Sequence, residues 1–127
     1  ALVHELAHVA QGYPDTSNRP GWLVEGLADL MRSRFASGAG NWKLGCASGE
    51  DLRSGYKCTG AFLQFVAREK GERVIQAANR GMRRGDFTEA DFEKAAGEKL
   101  SVLWNRCLSS DCAGGKVIAP SVPGHPG

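Results

Sequence analysis

The chain has 127 residues, 42% of them hydrophobic and 24% charged, and a net charge of +2. That suffices for one domain with a modest core, and the charge is too small to imply a nucleic-acid partner or a membrane surface. No apolar run approaches the ~18 residues of a spanning helix, so the chain reads as a soluble protein.

The chain opens Ala1-Leu2-Val3-His4-Glu5-Leu6-Ala7-His8-Val9, in which His4, Glu5 and His8 spell H-E-x-x-H. On a helix, residues four apart share a face, so both imidazoles can reach one metal ion with Glu5 beside it. That is the zinc hydrolase arrangement, with Glu5 as the catalytic carboxylate. The motif starts three residues in, with no initiator Met and no signal peptide before it, so the sequence reads as truncated at its N-terminus. A helix starting there has no preceding turn to cap it, and the turn carrying His4 should fray.

Zinc needs a third protein ligand and, in a catalytic site, leaves the fourth position to water. The one other histidine, His125, lies in a Gly/Pro-rich tail, and the extended H-E-x-x-H-x-x-G-x-x-H pattern fails at Gln11 and Pro14, so a carboxylate is expected. Residues 12–21, rich in Gly, Pro, Asp, Ser and Asn, form a loop. Then Trp22 to Met31 reads as a second helix, with Glu25 and Asp29 together on one face. Glu25 is read as the third zinc ligand. Asp29, one turn on, would accept the second ring N–H of a ligating histidine, His4 in preference to His8, and fix its orientation. Asp29 as the direct ligand is the competing assignment.

After a loop at 36–41, Trp42 to Ser54 shows no sustained period and reads as irregular. Tyr56 opens a third helix whose apolar stripe stops at Gly71, and Val74 to Met82 makes a short one followed by Arg80, Arg83 and Arg84 around Gly81 and Gly85. Basic side chains at a helix C-terminus complement its dipole, which is the reading preferred here over an anion site. Thr88-Glu89-Ala90-Asp91 looks like a capping box, and Gly97 divides two closing helices that run to about Cys107. No strand signal of any strength occurs, so the fold class expected is mainly α.

Cys46, Cys58, Cys107 and Cys112 contain no C-x-x-C pair and are read as two disulfides, for which three pairings exist. Cys46 with Cys58 and Cys107 with Cys112 is the preferred connectivity, implying an oxidising compartment outside the cytoplasm. Residues 1–112 are taken as one helical region and 113–127 as a disordered tail.

An H-E-x-x-H helix followed by an E-x-x-x-D helix is similar to the gluzincin metallopeptidases. Three stretches resemble one family in particular, the basic secretory proteins: His4 to Gln11, Gly21 to Asp29, and Gly55-Tyr56-Lys57-Cys58-Thr59-Gly60-Ala61-Phe62-Leu63. Asp91-Phe92 through Leu103-Trp104 looks like that family's closing helices, so the likeness runs from residue 1 to about 107. It implies the helical half of a zincin-like metallopeptidase, with the β-sheet that usually precedes it, and whose edge strand binds substrate, absent from these residues. It also implies a secreted protein with zinc as its cofactor and a peptide or protein as its substrate, and the protein is expected to act as a monomer.

Tyr56 is similar to the tyrosine of a Y-x-x-G-A helix start whose hydroxyl donates to the oxyanion in related gluzincins. The glycine here comes one place late, and an ordinary half-buried tyrosine is the alternative. Without the preceding sheet, these 127 residues are expected to bind zinc with reduced affinity and to hydrolyse peptides poorly. The other function classes left open are a secreted defence or binding protein with a structural zinc, and an inactive pseudoenzyme.

Overall fold

The computed structural model describes residues 20–35 and 43–117. Among them are five helices, α1 (Gly21–Phe35), α2 (Tyr56–Lys70), α3 (Glu72–Arg84), α4 (Glu89–Ala96) and α5 (Leu100–Cys107), and no strand. The mainly α expectation holds for these residues.

The long helix α2 is the centre of the packing, touching α1, α3 and α5, while α3 carries α4. Its sequence explains this role: Cys58 to Leu63, Phe65 and Val66 are all buried, so nearly its whole circumference is covered for two turns. A helix apolar on most sides must lie inside. Phe62 meets the ring of Trp104 edge-on at 6.1 Å and that of Phe92 at 6.3 Å, linking α2 to α5 and α4. Aromatic pairs at such separations add to the area they bury.

The boundaries follow local chemistry. In α4 the Thr88 hydroxyl accepts from the Asp91 amide at 3.1 Å and the Asp91 carboxylate accepts from the Thr88 amide at 3.0 Å, the reciprocal pair that satisfies two otherwise unpaired donors. Gly97, at φ 80°, ends that helix and lets α5 start three residues later. Helix α3 extends beyond the expected Val74–Met82 at both ends, to Glu72 and Arg84. Its terminal residues are polar and carry no apolar period, yet an acid in the first turn and arginines in the last favour the helix dipole.

Both expected disulfides are present, Cys46–Cys58 and Cys107–Cys112, with Cα separations of 4.3 and 5.2 Å. The first fastens the irregular segment before α2 to that helix. By restricting the unfolded chain, closing a loop of this size contributes about 2–4 kcal/mol.

The segment 113–117, assigned to the tail by sequence, is folded onto the body. The Lys116 amide donates to the Glu50 carbonyl at 2.6 Å, and the Trp104 indole N–H donates to the Lys116 carbonyl at 3.0 Å. The buried indole needs an acceptor, and this segment supplies it. The ordered body therefore passes Cys112; residues 118–127, with His125, lie outside the described residues.

Among the described residues no helix is long and apolar enough to cross a membrane. On the surface, Arg106 is shared between Glu69 and Glu98, and Lys70 reaches Glu98 at 2.7 Å. The hydrogen bonds from Arg106, then those from Lys70, hold the Glu98 carboxyl down to about 2 from the ordinary 4.5.

Candidate active site

Helix α1 begins behind Pro20, whose carbonyl accepts from the Leu23 amide at 3.1 Å and the Val24 amide at 3.3 Å. From Leu23 to Leu30 every residue except Glu25 is buried. Glu25 is half-buried, the one residue of this stretch that is not buried. Asp29, one turn further, is only 2% exposed. A buried carboxylate stays charged only when it is paired or hydrogen-bonded. Glu25, Asp29 and Tyr56 all have interaction partners.

The start of α2 lies against this face. A Cβ placed on Gly55 would stand 3.5 Å from the Cβ of Glu25, and one on Gly60 would stand 3.5 Å from the Cβ of Asp29. Each carboxylate-bearing residue thus rests on a glycine of the opposing segment.

Gly55 has φ 76°, and Tyr56, the next residue, has φ 55°, the one non-glycine among the described residues in the left-handed region. For a residue with a Cβ this costs roughly 1–2 kcal/mol. Such strain persists where the surroundings over-determine it. Here the Gly55 amide donates to the Thr59 hydroxyl at 2.7 Å, and the Thr59 amide donates to the Gly55 carbonyl at 3.3 Å. The result presents the Tyr56 side chain, 58% exposed, at the mouth of the α1–α2 contact.

Gly26 is a point of close approach between the two helices. A Cβ there would fall 2.2 Å from the Thr59 methyl carbon and 2.7 Å from Thr59 Cβ. Glycine within a helix normally costs roughly 0.5–1 kcal/mol relative to alanine. At this position the order should reverse: Gly26→Ala is expected to destabilise by about 1–3 kcal/mol through overpacking, read as a lowered urea midpoint with unchanged slope. A midpoint equal to or above the parent's would show that α1 and α2 are not held this close.

The first turn of α1 is anchored by Glu89, the first residue of α4. Its carboxylate accepts from the Trp22 indole at 2.9 Å and from Arg53 Nε and Nη2, both at 2.8 Å. Arg53 is first among the causes, ahead of Trp22, that hold the Glu89 carboxyl below its ordinary 4.5, while partial burial opposes them. Because the folded state lowers this pKa, the stabilisation is complete above pH 4.5 and is lost as the pH falls through the lower folded value. Glu89→Gln should therefore lose stability at pH 6 and show a shallower decline than the parent as the pH falls below 4.5, in urea titrations over that range. Parallel declines in the two proteins would remove Glu89 from the account.

Of the residues singled out by sequence, the structure brings Glu25, Asp29 and the Tyr56 helix start together. His4, Glu5 and His8 lie outside the described residues. Among the described residues no three His, Cys, Asp or Glu side chains converge, and the chain's three histidines are all elsewhere. Sequence reasoning missed Gly26, Gly55 and Thr59. An interior glycine between Glu25 and Leu27 was the available signal, since glycine inside a helical pattern often marks a close approach.

No curated protein and no solved structure matches the chain. The family model for BSP, described as peptidase of plants and bacteria, matches residues 1–106, from the H-E-x-x-H motif through the carboxylate helix and nearly to the end of α5. The match takes in all the stretches that resemble the basic secretory proteins, and on that ground the chain belongs to the BSP family of plant and bacterial peptidases.

Proposed function

We infer that this member of a peptidase family is a zinc-dependent peptidase, with His4, His8 and Glu25 as the metal ligands. The observation carrying this reading is the unequal burial on α1: Glu25 is half-buried while Asp29, one turn on, is buried. A ligand must be reachable by the metal and substrate, whereas a carboxylate that orients a ligating imidazole is best kept from water. The donor set fits zinc, which takes imidazole nitrogen and carboxylate oxygen and leaves one position open in catalytic sites.

When bound, zinc polarises a carbonyl and lowers the pKa of a water molecule toward ~7. Glu5 would act as the general base that takes a proton from water and, as general acid, gives it to the leaving amine nitrogen. Asp29 would accept the outer ring N–H of His4 and so fix the tautomer that leaves the other nitrogen unprotonated. Tyr56 donates its phenolic hydrogen to the oxygen on which negative charge develops. The substrate is a peptide or protein, and the protein works as a monomer. Its two disulfides fit an oxidising compartment and hence secretion.

The test is hydrolysis of an unstructured peptide, assayed with this chain and with any longer natural form that contains it. Activity should vanish with a zinc chelator and return on adding zinc. Hydrolysis indifferent to the chelator would leave the chain in its peptidase family but end the zinc assignment.

A further inference from the structure

Thr59 touches the immediate chain neighbours of both Glu25 and Tyr56. Its methyl group fills the space where a side chain on Gly26 would stand. Its hydroxyl accepts from the Gly55 amide at 2.7 Å and donates to the Leu52 carbonyl at 2.6 Å. The side chain is fully buried, and both capacities of its hydroxyl are used. Gly55 in turn packs on the stem of Glu25 and precedes the strained Tyr56. One residue thus carries two contacts, an apolar one that sets how α1 lies on α2 and a polar one that holds the left-handed turn before Tyr56.

We propose that Thr59 is a positioning residue which fixes the Glu25 carboxylate and the Tyr56 hydroxyl relative to each other, its methyl acting through Gly26 and its hydroxyl through Gly55. This rests on the zinc-peptidase reading above. The two halves of the side chain make separable contributions. Thr59→Val keeps the branched shape and removes the bonds to Gly55 and Leu52; Thr59→Ser keeps the hydroxyl and removes the methyl that abuts Gly26. A threonine that served only to fill space would not divide its effects in this way.

The experiment measures three quantities on the parent and both variants, at equal folded fraction: kcat and KM for a peptide, zinc affinity by chelator competition, and Gly55 and Tyr56 amide exchange with the Tyr56 Cα shift by NMR on the metal-free protein. Thr59→Val should lose the left-handed Tyr56 shift, exchange its Gly55 amide at least about tenfold faster, and lower kcat by about tenfold to a hundredfold with KM little changed, as misplacement of a group acting in the transition state does. Thr59→Ser should keep the turn and instead weaken zinc binding through Glu25. A Thr59→Val protein with parental kcat, or one whose Tyr56 turn persists unchanged, overturns the proposal while leaving the zinc-peptidase reading intact. A parent that neither binds zinc nor cleaves peptide overturns that reading itself. If Thr59→Val proves too unstable to study, Thr59→Ser decides alone: zinc affinity equal to the parent's refutes the role given to the methyl.

Discussion

Glu5→Gln should retain zinc and lose peptide hydrolysis, with kcat lowered by about 10²–10⁴-fold, the range set by removing a general base from a proton-transfer step. The amide is nearly isosteric with the carboxylate but cannot accept the proton of the attacking water or pass it to the leaving amine. Because Glu5 sits beside the two imidazoles in sequence without serving as a ligand in this account, metal content should be unaffected. KM should change little, since the lost interaction belongs to the transition state. Steady-state kinetics on variant and parent at matched zinc occupancy check this. Equal activity in the two would remove Glu5 from catalysis.

The second large effect separates the two carboxylates of α1. Glu25→Ala removes a proposed ligand and should reduce zinc affinity beyond the roughly 10–100-fold expected from loss of a residue that only orients a ligand. Asp29→Asn should stay within that range. It keeps the shape of a side chain that is 2% exposed, but its amide nitrogen is a poor partner for an imidazole N–H. Chelator-competition titrations of the two variants rank them. The reverse ranking, with zinc lost on changing Asp29 and retained on changing Glu25, makes Asp29 the ligand and Glu25 the neighbour.

Much of the helical body was legible in the sequence because its signals are local. The stripe from Ala61 to Ala67 and its stop at Gly71, the Thr88–Asp91 capping box and the break at Gly97 each depend on residues within a turn or two of one another. The cysteine pairing was also readable, since both partners in each pair lie close along the chain. The polar ends of α3 were missed because apolar periodicity does not mark them. The seating of 113–117 was missed because it depends on an indole at Trp104 and a carbonyl at Glu50, far apart in sequence.

The candidate site divides in the same way. Glu25 and Asp29 could be placed on one helix face from spacing alone, but their unequal burial comes from what packs against α1. Thr59 and Gly26 meet across 33 positions of sequence, and neither residue type announces a site. The left-handed backbone at Tyr56 follows a Gly55 amide bound by the Thr59 hydroxyl, an arrangement that no local propensity would indicate.

The central claim is that His4, His8 and Glu25 together hold one zinc ion. Its most direct test is metal analysis of the purified protein, by inductively coupled plasma mass spectrometry after exhaustive dialysis, alongside Glu25→Ala prepared identically. About one zinc per chain is expected in the parent, the count set by a single three-ligand site, and little or none in the variant. A parent without zinc after exposure to the metal, or a variant that retains as much as the parent, would contradict it.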